Sequence, residues 1–148
     1  RDAETCVDKL QWSTANGQIM VNGQPLVLKG VRYYGFQREG IAPGGLDRRN
    51  LNDILDIIKN NSFNAVQVPI AMEMVKDNPF STNIDCTINP ELCKITSIRM
   101  LDILIDRAAK RGLLIFLSNY RLSYHQEIFK SLWYDAEYSE ELVISLWH

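Results

Sequence analysis

The sequence lacks three features that would point to particular classes of protein. No apolar run approaches the roughly 20 residues that a membrane-spanning helix needs. Basic and acidic residues nearly balance, with 16 Lys plus Arg against 18 Asp plus Glu and a net charge of −2. This balance gives no electrostatic reason to expect binding to nucleic acid or to a membrane. The two histidines and three cysteines match no metal-ligand spacing, so we expect no metal and no cofactor.

The sequence does contain enough apolar material for one globular domain. Hydrophobic residues make up 46% and charged residues 23% of the chain. A length of 148 residues is too short for two comfortable domains, so we predict a single domain over 1–148. The chain starts with Arg1 rather than methionine, and its last helical segment has no stop signal. We therefore expect a chain that has been trimmed or cut.

Two cysteines and a sequon favour a secreted, extracellular protein. Cys86 and Cys93 bracket a short polar segment, which a disulfide closes if the Cα atoms come within about 7 Å. Cys6 is then left over, either as a free thiol or as a partner for another chain. Asn60 begins an Asn-Asn-Ser sequon and is a candidate for N-glycosylation, although such tripeptides are common by chance.

Strand patterns alternate with helix patterns along the chain. The turn at Asn22-Gly23 predicts a hairpin, Pro69 is expected to end a strand, and the continuous apolar run 113–117 predicts burial on both faces. The predicted strands cover 18–21, 25–28, 28–36, 65–68 and 113–117. The predicted helices run from Asn50 to about Asn60, from Thr96 or Ser97 to Gly112, and from Ser139 onwards, with long loops over 71–95 and 118–138. This order predicts an α/β fold with a parallel sheet.

Six short segments keep the order and spacing of one family. They are 15–19 (ANGQI), 22–31 (NGQPLVLKGV), 63–66 (FNAV), Pro69, 110–112 (KRG) and 131–134 (SLWY). Together they resemble the N-terminal part of glycoside hydrolase family 5, the cellulase-like (β/α)8 barrels. The resemblance spans Thr14 to Trp147, which is nearly the whole chain.

The resemblance implies a partial TIM barrel of about three βα units, preceded by a hairpin that closes the barrel floor. It also implies retaining hydrolysis of β-glucans by two glutamates about 5 Å apart. In the family these glutamates follow the fourth and seventh strands, and the chain ends before a fourth strand. A full barrel takes about 250 residues. No catalytic residue is therefore assigned.

The chain departs from the family pattern at the C-terminal ends of its strands, where this fold keeps its chemistry. Gln67 stands where the family has an arginine, and an amide cannot supply a fixed charge. Tyr120 replaces the histidine of an Asp-x-His pattern, Arg32-Tyr33 replaces Asn-Trp, and Gly44-Gly45-Leu46 replaces His-Gly-Leu. These changes favour a protein that is inactive on its own.

Aromatic and amide side chains at this rim are the candidate substrate-binding residues. Such rings stack on sugar faces or pack loops onto the sheet, and for Trp133 both interpretations remain open. The candidates are Tyr33, Tyr34, Gln67, Tyr120, Trp133 and Tyr134. Glu39, Glu73 and His125 are interpreted as solvated loop residues rather than as an acid–base set.

The barrel-interior face of the predicted sheet has no cover in a chain of this length. Its predicted residues are Val31, Val66, Val68, Ile115 and Leu117, or their alternating neighbours. We expect a homodimer in which the partner covers this face or pairs with an edge strand.

Three functions remain open at this point. The favoured one is a secreted cellulase-like protein that lacks glucanase activity alone and binds β-glucan, an oligosaccharide or a protein partner. The second is a β-1,4-glucanase completed by dimerisation or by a missing C-terminal half. The third is a self-assembling scaffold without sugar affinity.

Overall fold

The computed structural model describes residues 10–125 and 132–148. Cys6 lies outside the described residues, so its state stays a prediction. The strands are β1 (Trp12–Ala15), β2 (Gln18–Val21), β3 (Gln24–Pro25), β4 (Gly30–Arg32), β5 (Ala65–Ala71) and β6 (Leu114–Arg121). The helices are α1 (Leu51–Asn60), α2 (Met72–Asp77), α3 (Ser97–Ala109) and α4 (Glu140–Trp147).

The described chain opens with an antiparallel sheet in the order β1-β2-β3. Asn22-Gly23 forms the predicted turn, and both residues have positive φ, 51° and 78°, as a type I′ hairpin turn requires. Asn16-Gly17 repeats this geometry with φ of 51° and 73°. The second turn adds β1, a strand that the polar N-terminal pattern does not predict. The return strand β3 is shorter than the predicted 25–28.

Strands β4, β5 and β6 form a parallel sheet in that order, as the alternation of strands and helices predicts. The predicted stop at Pro69 is wrong, because β5 continues to Ala71. The carbonyl of Gln67 accepts a hydrogen bond from the Tyr33 N–H at 2.9 Å. Strand alternation turns Pro69 towards the same side, where β4 has already ended at Arg32. The absent N–H of the proline therefore leaves no partner unpaired.

Two other strands differ in length from their patterns. The predicted strand 28–36 is reduced to the three residues of β4, because the chain leaves the sheet for the turns that begin at Phe36. Strand β6 extends beyond the predicted 113–117 and reaches Arg121, paired with β5 with one register shift between Ile70 and Ala71. The polar residues 118–121, assigned to a loop by their composition, are held in the sheet by this pairing.

Side chains cap the two helices that the sequence predicts to begin at Asn50 and Ser139. The side chain of Asn50 accepts a hydrogen bond from the Asn52 N–H at 2.9 Å, at the start of α1. Ser139 does the same for α4, accepting from the Leu142 N–H at 3.3 Å. Each cap satisfies a backbone donor that has no partner within its helix.

The helical spacing of the apolar residues in α3 predicts a buried face of Ile98, Leu101, Leu104, Ile105 and Ala108, and the structure differs from it. Ile105 is 36% exposed, whereas Met100 is fully buried. Ser97, Met100, Leu101, Leu104 and Ala108 form the buried set. These positions follow the same helical period, rotated so that Met100 rather than Ile105 faces the core.

The segment 71–95 is not the continuous loop that its composition predicts. Helix α2 follows β5 directly, and a 3₁₀ turn spans Pro90–Leu92. The side chain of Asn89 is fully buried, and its hydrogen bonds organise this segment. It accepts from the Leu51 N–H at 3.0 Å and donates to the carbonyls of Leu46 at 3.0 Å and Arg49 at 3.1 Å.

Helices cover one face of the parallel sheet, and the hydrophobic core lies on that side. Val66 and Val68 are fully buried, and Val31 and Ile115 pack against the same core. The barrel-interior face therefore belongs to the alternating neighbours of the predicted residues. Those neighbours line an open depression of about 710 Å³ and include Gly30, Arg32, Ala65, Gln67 and Phe116.

The prediction that the 113–117 run is buried on both faces is wrong. Phe116 is 43% exposed and Leu117 is 37% exposed. In the described part of the chain β6 pairs only with β5, so it is an edge strand of an open sheet. The apolar run has the composition of a strand that is buried on both faces, but the described chain places no further strand or helix against its exposed side.

Candidate functional site at the strand ends

Four side chains meet at the C-terminal ends of the parallel strands. Register aligns Arg32 of β4 with Gln67 of β5, and Tyr34 and Tyr120 follow near the ends of β4 and β6. We call Arg32, Tyr34, Gln67 and Tyr120 the rim cluster. Parallel strands bring these residues together because their carboxyl ends lie at one edge of the sheet.

Hydrogen bonds join the rim cluster across all three strands. The Arg32 Nε donates to Gln67 Oε1 at 2.8 Å, and the Gln67 Nε2 donates to the Ser118 hydroxyl at 3.2 Å. The Arg32 Nη1 donates to the Tyr34 hydroxyl at 2.8 Å. The guanidinium therefore fixes both an amide and a phenol at the rim.

The two tyrosines of the rim cluster contact each other edge to face. Their ring centroids are 6.0 Å apart with an interplanar angle of 80°. The Arg32 guanidinium carbon lies 5.6 Å from the Tyr34 centroid and 5.9 Å from the Tyr120 centroid, within cation–π range of both.

The arginine also changes the acidity of the phenol beside it. The hydrogen bond from Arg32 lowers the pKa of Tyr34 below its ordinary value, because the cation stabilises the phenolate. The same contact raises the pKa of Arg32, which therefore keeps its charge. The site presents a permanent cation next to a phenol that ionises more readily than usual.

Arg32 is the member of the rim cluster that sequence reasoning missed as a site residue. The expectation that Gln67 brings no fixed charge is correct for its own side chain. Register places an arginine directly beside it on β4. The available signal was a pair of departures from the family pattern, in which β5 has lost an arginine and β4 has gained one.

A cleft of about 690 Å³ adjoins the rim cluster at Tyr34. Arg38, Glu39, Arg121 and His125 contribute its charged and titratable side chains. The His125 Nδ1 lies 3.5 Å from Glu39 Oε1, and both side chains are largely exposed. Glu39 and His125, interpreted separately as solvated loop residues, thus face each other.

Gly35 shapes the entrance of this cleft. Its φ is +151°, and a Cβ at this position would overlap the carbonyl oxygen of Ala42. The Gly35 N–H donates to the side chain of Gln37, which is 1% exposed. Only glycine fits this backbone, so the bend that brings Tyr34 and Arg38 to one cleft depends on it.

Glu73 is not the solvated loop charge that its position in the sequence indicates. It lies in the first turn of α2, and its Oε2 accepts a hydrogen bond from the Tyr124 N–H at 3.1 Å. Its own N–H donates to the Leu122 carbonyl at 2.8 Å. Glu73 therefore anchors the chain after β6, next to the turn that carries His125.

The other predicted rim aromatics lie in different places. Tyr33 packs against the core, and its hydroxyl donates to the Gly44 carbonyl at 2.9 Å. Burial raises the pKa of this phenol above its ordinary value. Trp133 and Tyr134 form their own edge-to-face pair with centroids 5.1 Å apart. Trp133 is 44% exposed.

The predicted disulfide is present. Cys86 and Cys93 are bonded with a Cα–Cα distance of 5.7 Å and close a loop of sequence separation 7. The sequon residue Asn60 is the last residue of α1 and is exposed. Its glycosylation stays a prediction.

Two searches of the described residues bear on other classes of function. Within residues 10–125 and 132–148, no group of three or more His, Cys, Asp or Glu side chains could hold a metal ion. Among the helices of the same residues, none has the length and apolar character needed to cross a membrane.

Comparison with known proteins shows which proteins the chain resembles in sequence. No family model matches the chain. An endoglucanase of Paenibacillus polymyxa is 28% identical over 126 residues, which cover 85% of this chain and 31% of that protein. The major extracellular endoglucanase of Xanthomonas campestris pv. campestris is 29% identical over 119 residues, covering 80% and 24%.

Solved structures give the same result in three dimensions. A complex of the Pyrococcus horikoshii endocellulase with cellotetraose superposes with a TM-score of 0.85 and 28% identity, over 93% of this chain and 38% of that chain. The catalytic domain of the Xanthomonas endoglucanase gives 0.76 and 28%, over 81% and 34%.

The chain is an endoglucanase relative. The resemblance to cellulases of glycoside hydrolase family 5, which the six sequence segments indicate, is confirmed. The mixed α/β fold matches part of a cellulase TIM barrel, and its described parallel strands form an open sheet rather than a closed barrel. This endoglucanase relative spans less than a third of the curated proteins and less than two fifths of the solved structures that it matches.

Proposed function

We propose that this chain is a secreted β-glucan-binding protein of the endoglucanase type that does not hydrolyse glucan on its own. The observation that carries the proposal is the rim cluster, an arginine, an amide and two tyrosines held together at the strand ends. The endocellulase that superposes on 93% of the chain was solved with cellotetraose, which favours a β-glucan as ligand.

The chemistry of the rim cluster suits a pyranose sugar. A sugar ring combines apolar C–H faces with a periphery of hydroxyl groups, and binding sites match it with aromatic rings and a few fixed polar groups. Tyr34 is 38% exposed and offers a ring edge and a hydroxyl. Arg32 and Gln67 hold each other in one orientation, so the site loses little side-chain freedom when a ligand binds.

The described carboxylates around the cleft do not favour hydrolysis by this chain alone. A retaining glycosidase needs an acid/base and a nucleophile whose carboxyl groups are about 5 Å apart across the sugar bond. Glu73 is bound to the Tyr124 N–H, and Glu39 faces His125 rather than a second carboxylate. Neither arrangement provides the pair of facing carboxylates.

A second proposed function is a completed glucanase, because the chain covers only part of the length of its relatives. Since it matches 38% of the endocellulase chain, the rim cluster could be one wall of a β-1,4-glucanase site completed by further polypeptide or by dimerisation. The exposed interior face, which includes Phe116, is the surface that such a completion would cover. A homodimer through this face or through β6 remains our proposal for the isolated chain. A scaffold that assembles through this face without sugar affinity is an outcome of the test below.

Calorimetric titration with cellotetraose tests the proposal. We expect saturable binding by the unmodified chain, and a three- to tenfold loss of affinity, roughly, in Tyr34→Ala and in Tyr120→Ala. Trp12→Ala is the matched control, because Trp12 is an exposed aromatic of the antiparallel sheet, and its affinity should not change. Absence of binding would refute the proposal and leave the scaffold function.

A reducing-sugar assay with the same chain distinguishes a chain that binds glucan without hydrolysing it from a chain that is an active glucanase. We expect no turnover of cellotetraose by the isolated chain. Turnover that Glu39→Gln or Glu73→Gln abolishes would show that the chain carries its own catalytic carboxylates and would overturn the inactive assignment.

A further inference from the structure

The rim carries a concentration of positive charge that a neutral glucan does not need. Arg38 lies with its guanidinium carbon 5.8 Å from the Tyr34 centroid, and Arg121 lies 5.8 Å from the Tyr120 centroid. With Arg32, three guanidinium groups therefore surround two tyrosine rings. This happens in a chain whose formal net charge is −2.

Among the described residues, no carboxylate forms an ion pair with Arg32 or Arg38. The cleft lining contributes one carboxylate, Glu39, and its described ion pair is with His125 at 3.5 Å. Glu73, the nearby acid on α2, is bound to the Tyr124 N–H. The described hydrogen bonds of Arg32 go to neutral groups, the Gln67 amide oxygen and the Tyr34 hydroxyl.

The same cations change what the tyrosine rings present to a ligand. Guanidinium groups lie within cation–π range of both rings, and the rings meet each other edge to face. Less ring face is then available for the apolar face of a neutral sugar, because charged donors lie over the rings. Planar guanidinium groups are the preferred partners of carboxylates in proteins.

From this geometry we infer that the rim and its cleft bind an acidic oligosaccharide, a β-linked glycan that carries uronate carboxylates. The C6 carboxylate of a uronic acid projects from the edge of the sugar ring. A sugar ring seated beside Tyr34 can therefore direct its carboxylate to Arg32 and Arg38, whose guanidinium carbons lie 5.6 Å and 5.8 Å from the Tyr34 centroid. The cleft of about 690 Å³ has room for a few sugar residues. The inference rests on the proposed glycan-binding function and narrows its ligand class.

Paired titrations with cellotetraose and with β-1,4-tetraglucuronate test the inference, since both probes share linkage and length. We expect tetraglucuronate to bind about tenfold more tightly at low salt, and about 0.5 M salt to remove most of this preference. Arg38→Gln should weaken tetraglucuronate binding about fivefold and change cellotetraose binding much less, whereas Arg38→Lys should retain most of the preference. Arg48→Gln is the matched control, because Arg48 is 87% exposed and pairs with Asp47 outside the rim.

The outcomes distinguish this inference from the proposed function. Equal affinity for both probes, or tighter binding of cellotetraose, would overturn the acidic-ligand inference and leave β-glucan binding intact. Binding of neither probe would refute both. Polyglutamate binding as tightly as tetraglucuronate would show general attraction of polyanions and would also overturn the inference. Binding of tetraglucuronate without binding of cellotetraose would support the acidic-ligand inference and refute the proposed binding of a neutral β-glucan.

Discussion

The buried amide of Asn89 gives the sharpest prediction about stability. Its side chain is fully buried and makes three hydrogen bonds, one to the N-terminus of α1 and two to the carbonyls of Leu46 and Arg49. Asn89→Ala removes all three hydrogen bonds, leaves their backbone partners unpaired and opens a cavity. Each buried group left unpaired costs about 1–3 kcal/mol, and water entering the cavity offsets part of this, so we expect a loss of about 3–5 kcal/mol. That loss is a large part of the roughly 5–15 kcal/mol that stabilises a typical domain.

Urea denaturation followed by tryptophan fluorescence measures the effect. Asn60→Ala is the matched control, since Asn60 is exposed at the end of α1 and its loss should change the free energy of unfolding by less than about 0.5 kcal/mol. Asn89→Asp adds a second check. The aspartate would face two carbonyl oxygens, which raise its pKa, so this variant should gain stability as the pH falls through that pKa. A loss below about 1 kcal/mol in Asn89→Ala would refute the claim that this amide organises the segment.

Three further predictions concern the rim and the loops around it. The double variant Cys86→Ser/Cys93→Ser should lose about 2.5 kcal/mol of stability in urea denaturation, from the entropy of a loop of this length, and an unchanged midpoint would contradict that estimate. Gly35→Ala should lower the free energy of unfolding by about 3 kcal/mol or more, and lower the melting temperature with it, because a Cβ overlaps a neighbouring carbonyl. A wild-type melting curve would show that this position tolerates a Cβ. In an ultraviolet pH titration, Tyr34 should ionise at a lower pH than ordinary tyrosine, and Arg32→Gln should move its pKa upward; an unmoved titration in that variant would refute the role of the guanidinium.

Local patterns were sufficient for the elements whose signals are local. The Asn22-Gly23 turn and the helix starts at Asn50 and Ser139 lie where the sequence predicts them, because a two-residue turn or a helix start depends on a few neighbouring side chains. The Cys86–Cys93 disulfide was predictable for the same reason, as a short segment cannot separate its own ends far.

Features that depend on the sheet as a whole were predicted less well. Pro69 looked like the end of a strand, and only the early end of β4 explains why β5 tolerates it. The sequence predicted two alternative sets of residues for the interior face of the sheet. Period-two alternation separates the two faces but does not show which face the helices cover. Helix α2 was missed because its six residues are too few for a helical period to stand out.

The candidate site shows the same division between local and long-range information. Tyr34, Gln67 and Tyr120 were predicted from the ends of strands, and the structure brings them together. Tyr33 was predicted with them, but adjacent residues of an extended segment point to opposite sides, and it faces the core. Arg32 required knowledge of the register between β4 and β5, which no pattern within either strand contains.

A nuclear magnetic resonance titration of the isotope-labelled chain with cellotetraose tests the central claim most directly, because it reports where a glucan binds residue by residue. The account predicts saturable shift changes at the rim cluster of Arg32, Tyr34, Gln67 and Tyr120, with the amides of the antiparallel sheet unmoved. Changes confined to residues outside the rim, or no changes at saturating sugar, would contradict it.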